Sequence, residues 1–136
     1  MTLPTRFDWD KLQQFCCQVF RNAGVSQENA ETVAESLIQA DLRGVDSHGV
    51  VRTAIYIERI EKNMMNPFAD PEIESEDFAT VLVNGNNNIG AVVGKKAVEI
   101  ALEKAKERGA AIVGVKGSNH FGTGAFYALK AIEKDM

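Results

Sequence analysis

Between Trp9 and Phe20 the apolar residues Trp9, Leu12, Phe15, Cys16, Val19 and Phe20 recur three and four positions apart, the spacing of one helix face. Asp8 supplies an N-cap and Asn22-Ala23-Gly24 a stop, so a first helix is predicted between them. Ser26 opens a second. Glu28 near its start suits the helix dipole, and Ala30, Val33, Ala34, Leu37 and Leu42 form its stripe as far as Gly44. The two helices are expected to pack as a hairpin. A third helix is predicted from Ser47 to about Lys62, with Val51, Ala54, Ile55 and Ile57 on an otherwise polar background.

Two prolines and two asparagines between Asn63 and Pro71 mark a loop, and an organisational boundary is placed near residue 75. Residues 1–75 then form a helical region and residues 76–136 the beginning of a different layer. There Thr80-Val81-Leu82-Val83 reads as a buried strand and Gly85 to Gly90 as a turn. Ala91 to Arg108 reads as an amphipathic helix, Ala111 to Val115 as a second strand and the stretch from about Gly122 as a last helix. Strand, helix, strand at these lengths is a crossover unit joining parallel strands, so the fold class is α/β. Two parallel strands with so few helices beside them leave edges and faces uncovered. The chain is therefore expected to be a truncated portion of a larger fold.

The 136 residues carry 45% hydrophobic and 25% charged positions, the balance of an ordinary globular domain. A formal charge of -4 without a basic run excludes a nucleic-acid or anionic-membrane surface. Met1 to Asp8 show no apolar signal core and no later run has the length of a membrane span, which points to the cytoplasm. Cys16 and Cys17 are adjacent, with no third cysteine to pair, and two distant histidines lack metal-ligand spacing. Cys16 is read as core, Cys17 as incidental, and no metal site is expected.

Those two histidines, His48 and His120, lie in glycine-flanked polar stretches at helix starts, where an imidazole can exchange protons with a ligand. His120 follows the carboxyl end of a predicted parallel strand, the place where α/β proteins bind ligands. A helix begun at Ser47 would align His48, Arg52, Tyr56 and Arg59 on one face, at spacings of four, four and three. Arginine in such a row can grip a carboxylate with two parallel hydrogen bonds. The alternative is a solvated face on which Arg52 and Arg59 pair with Glu58 or Glu61. Gly122-Thr123-Gly124-Ala125-Phe126-Tyr127 fails the GxGxxG dinucleotide pattern, and neither a Walker loop nor GxSxG occurs. Gly85-Asn86-Asn87-Asn88 is read as a turn without chemistry.

Ala40-Asp41-Leu42-Arg43-Gly44-Val45-Asp46-Ser47-His48-Gly49-Val50-Val51-Arg52, followed by Tyr56, resembles the N-terminal signature of the malate/L-lactate dehydrogenase family. Ser118-Asn119-His120-Phe121-Gly122 resembles its second signature. This family is distinct from the Rossmann-fold lactate and malate dehydrogenases and also contains ureidoglycolate, sulfolactate and diketogulonate dehydrogenases. The resemblance implies a helical N-terminal region leading into a non-Rossmann α/β nucleotide-binding domain, NAD or NADP as cofactor and a homodimer. By motif match His120 is implied as the catalytic acid/base. His48 is implied as an active-site histidine that is the proton donor in some members, and Ser47, Arg52 and Tyr56 as substrate-side residues. The substrate implied is a small 2-hydroxy or 2-keto acid. Family members are more than twice as long, and the remainder carries a further active-site lysine and most cofactor-binding residues. Thr123-Gly124-Ala125-Phe126-Tyr127 departs from the more usual Ala-Gly pair and tyrosine, which leaves the substrate subclass open.

Two hypotheses follow. One is an NAD(P)-dependent 2-hydroxy-acid dehydrogenase represented by an N-terminal portion; the other is a noncatalytic fragment acting as a dimerisation or interaction module. A helical DNA-binding domain fails on charge.

Overall fold

A computed structural model describes residues 6–136. Residues 1–5, part of the stretch read as lacking a signal core, lie outside the described residues. Helix α1 (Trp9–Asn22) starts where expected, with Asp8 Oδ1 accepting from the backbone N–H groups of Asp10 at 3.1 Å and Lys11 at 3.2 Å. Ser26 caps α2 (Gln27–Leu42) through the Asn29 N–H. The two helices pack as the expected hairpin. Cys16 and Phe20 are buried from α1, but Trp9 and Phe15 of the same stripe stay exposed, as does Leu42 at the end of α2. The rest of α2 is buried on more than one face because α1, α4 (Gly90–Arg108) and α5 (Gly124–Ile132) all pack against it. Its Thr32 and Ser36 hydroxyls survive burial by donating to Glu28 O and Val33 O one turn back.

The third helix is shorter than its pattern predicts. A 3-10 turn covers Asp46–His48, Gly49 is extended (φ -86, ψ -154), and α3 runs only Arg52–Glu61. The cause is Asp41. Its Oδ2 accepts the Val50 N–H at 2.9 Å, capping the helical turn from outside. A Cβ at position 49 would fall 1.6 Å from Asp41 Oδ1, so the contact requires glycine. Ser47 and His48 therefore precede α3 instead of forming its first turn.

The sheet has three strands in the order β1 (Glu72–Glu76), β2 (Thr80–Asn88), β3 (Ile112–Ser118). β2 and β3 are parallel across α4, as the crossover predicts. The antiparallel strand β1 is additional, spans position 75, and was hidden because Glu72-Ile73-Glu74-Ser75-Glu76 is acidic and exposed throughout. Backbone pairing with β2 holds it, together with ion pairs from Lys104 to Glu76 and from Lys116 to Glu74.

The Gly85–Asn88 stretch is also not a turn. It continues β2 with an irregular register between Asn84 and Asn88, where Asn86 (φ 49) and Asn87 (φ 60) take the left-handed conformation that asparagine tolerates. The main core joins Phe20, Leu37 and Tyr56 to Met65, Ile89 and Val92, so the helices and the start of α4 share one apolar interior. A smaller cluster of Val81, Val83 and Val93 lies between sheet and α4.

Candidate active site

Burial of Tyr56 (2% exposed) against Phe20 fixes the middle of α3 and points its phenol out of the core toward the strand-to-helix turn after β3. There Tyr56 Oη meets His120 Nδ1 at 2.7 Å. On the other side the His48 ring lies 5.2 Å from the His120 ring, centroid to centroid. The two histidines, 72 positions apart in sequence by their numbers, thus share one site made by both halves of the chain.

His48 is oriented by its neighbour, with Ser47 Oγ 2.9 Å from His48 Nδ1. Arg52 is anchored by its Nε, which donates to Ser47 O at 2.6 Å and leaves the two terminal guanidinium nitrogens for another partner. The solvated-face alternative does not hold. Glu58 pairs with Lys62, and among the described residues no carboxylate forms a salt bridge with Arg52 or Arg59. Although the third helix starts late, Arg52, Tyr56, His48 and His120 still converge, because the Asp41 cap folds the 3-10 turn back over the α3 start.

Burial lowers the His120 pKa below its ordinary value, and the positive charges of Arg52, His48 and Arg59 push in the same direction. Both effects favour the uncharged form of the ring. Tyr56 shifts the other way, held as a phenol chiefly by burial, with Arg52 and Arg59 opposing. A neutral imidazole bonded through Nδ1 has Nε2 as its second proton-exchanging atom.

Three further features hold the site and were not read from the sequence. Asn119 Nδ2 donates to Asn87 O, Asn87 Oδ1 and Asn88 O, each at 3.0 Å. Gly90 admits the turn against the start of α4, since a Cβ there would lie 2.3 Å from His120 O. Beyond His120, the Tyr127 hydroxyl donates to Phe121 O and the two rings stack. The asparagine run at 86–88 was the available signal, because consecutive asparagines suit left-handed backbone. Among the described residues no group of three or more His, Cys, Asp or Glu is arranged to hold a metal ion.

An imidazole bonded to a phenol, beside a second imidazole and within reach of an arginine charge, is an arrangement that can exchange protons with a small anion in an α/β protein. Comparison with known proteins gives that class a family: the malate/L-lactate dehydrogenase pattern matches residues 7–136, and the chain belongs to that family. It is 40% identical to a malate dehydrogenase of Pyrococcus abyssi over 131 residues, covering 96% of this chain and 36% of that protein. A malate/(S)-sulfolactate dehydrogenase of Methanothermus fervidus is 40% identical over 119 residues, 88% of this chain and 35% of the relative. The structure of malate dehydrogenase from Pyrococcus horikoshii superposes with a TM-score of 0.95 at 38% identity, over 97% of this chain and 38% of that one. The chain spans about a third of the length of these relatives.

Proposed function

We propose that the chain carries the substrate side of an NAD(P)-dependent dehydrogenase acting on a small 2-hydroxy acid and its 2-keto acid. The observation that carries this reading is the Tyr56–His120 bond facing His48 and Arg52. In the oxidative direction His120 Nε2 takes the proton of the substrate hydroxyl, while Nδ1–H donates to Tyr56 Oη and so spreads the imidazolium charge. Arg52 receives the substrate carboxylate on its terminal nitrogens and fixes which face of the carbinol carbon is presented. His48, oriented by Ser47, lies close enough to orient the same hydroxyl or to return a proton in reduction. The chemistry that NAD or NADP supplies when bound is acceptance of the hydride.

The residues described here do not form a recognisable dinucleotide cradle: the turn between Gly117 and Gly124 lacks the glycine spacing, and the side chains around His120 serve the proton and the carboxylate. A relative named ureidoglycolate dehydrogenase (NAD(+)), from Escherichia coli strain K12, is 36% identical over 109 residues and supports a nicotinamide cofactor. The same reading takes the protein as a cytoplasmic homodimer. Free thiols at both Cys16 and Cys17 accord with a reducing compartment. Exposed apolar side chains such as Trp9, Phe15 and Ile112 accord with an assembled state. No described helix is long and apolar enough to cross a membrane.

A second reading, a noncatalytic interaction module, is favoured by the exposure of β1 and of most of β3 at the two sheet edges. One assay separates the two: oxidation of NADH or NADPH, followed by absorbance, against a panel of 2-keto acids. Turnover that falls about 10²–10⁴-fold in His120→Ala supports the dehydrogenase. Turnover indifferent to that substitution removes His120 from the reaction, and absence of turnover in the longest natural product of the gene leaves the module.

A further inference from the structure

The structure assigns Asn119 as the positioning residue of this site: its carboxamide bolts the turn that carries His120 to the Asn87–Asn88 bulge of β2. We rest this on the dehydrogenase reading above only for its effect on turnover, because the geometry stands without it. Three acceptor oxygens, Asn87 O, Asn87 Oδ1 and Asn88 O, converge on Asn119 Nδ2 at 3.0 Å each. An amide nitrogen has two protons, so at least one is shared, and a hydroxyl with its single proton cannot serve the three oxygens in the same way.

The acceptor side is itself built for this. Asn86 and Asn87 are left-handed, which turns Asn87 O and Asn88 O toward the His120 turn instead of along the strand ladder. Asn87 O also receives the Asn66 N–H at 2.8 Å, and Asn87 Nδ2 donates to Met64 O. Asn88, wholly buried, donates to Ala69 O and accepts its neighbour's N–H at Ile89. The bulge is thus tied to the 64–69 loop, which follows α3 and leads back to Tyr56. One network therefore connects the backbone before His120 with the helix that presents its hydrogen-bond partner.

The other side of the turn is closed by Gly90, against which His120 O and Asn119 O pack, and by Tyr127 bonded to Phe121 O. With Asn119 removed, the turn keeps its downstream anchor, and upstream only the strand pairing of Ser118 with Asn88 remains. The His120 ring would then move relative to Tyr56 Oη, while Arg52 and His48, held on the α3 side, stay in place.

The test uses the two-histidine composition, which gives a simple imidazole NMR spectrum. In the 136-residue chain, Asn119→Ala is expected to move the His120 titration up toward the ordinary histidine value, with the far-ultraviolet circular dichroism unchanged. Asn119→Ser, which restores a single donor, should shift it less. Where the protein turns over, kcat should fall about 10- to 100-fold while KM changes little, the mark of a displaced proton acceptor beside an intact carboxylate site. A His120 titration that stays put in Asn119→Ala overturns the assignment, as does a change confined to KM. If the titration shifts but the unaltered protein has no dehydrogenase activity, the positioning role stands and the functional reading alone falls.

Discussion

The two histidines of the site are held by opposite means. His48 sits on a short turn whose fold is imposed by a charged group, the Asp41 carboxylate capping Val50, and its ring is oriented by an exposed serine. His120 sits on a loop positioned by neutral amides and a phenol, against a helix start stripped of its side chain at Gly90. The lesson is that the helical side of the site is set by one short-range clash-and-cap arrangement, whereas the sheet side depends on a network spread over β2, β3 and the 64–69 loop.

The largest effect expected from breaking the comparison is at the core beneath both. Leu37, 1% exposed, packs in the cluster shared by the helices and α4. Leu37→Ala should cost about 2–5 kcal/mol in denaturant unfolding and loosen both histidines together. A loss under about 1 kcal/mol would mean that the two sides are supported separately. Next comes Gly49→Ala, whose Cβ would overlap the Asp41 carboxylate. The expected loss is about 1–3 kcal/mol, and the His48 resonances should shift while those of His120 shift less. Equal disturbance of both rings would refute the separation of the two sides, one held by the Asp41 cap and the other by the amide network.

Part of this contrast is legible in the sequence on each side. Asp8, Ser26 and the apolar spacing of α1 and α2 located the helices, and the crossover through α4 located His120 beyond a parallel strand, because these signals are local and periodic. The start of α3 was misplaced since the residue that ends the preceding turn, Asp41, reaches Val50 through space. β1 was missed because an exposed edge strand needs no apolar alternation when its backbone bonds suffice. The asparagine bulge was read as a turn since left-handed residues signal one equally well within a strand and between strands. The row His48, Arg52, Tyr56 and Arg59 rests on a helix register that the structure does not keep, and His120, which that register does not reach, is brought beside Tyr56 and His48 by the fold of the later half of the chain.

A smaller effect sharpens the division between carboxylate binding and proton transfer. Arg52→Lys replaces a fork by a point charge and loses the Nε bond to Ser47 O, so KM for a 2-keto acid should rise about 10- to 100-fold with kcat less affected. Steady-state kinetics on both parameters measure this, and a loss confined to kcat would reassign Arg52 to the proton-transfer side.

The smallest expected effect concerns pH. Because the folded His120 pKa is lowered, chiefly by burial and then by Arg52, the unfolded chain binds more protons than the folded one as pH drops through the unfolded value of about 6.5. Stability carried by this residue is therefore present above that pH and is lost as pH falls toward and through the folded pKa. His120→Gln should flatten the slope of unfolding free energy in that acidic window while leaving it unchanged above neutrality. If His120 takes the hydroxyl proton as proposed, the same shift puts the acid limb of kcat/KM for alcohol oxidation below 6.5, since a proton acceptor must start neutral. A limb at or above the ordinary histidine value would show that another group takes the proton, and with His48 lying 5.2 Å away the next profile to measure is that of His48→Gln.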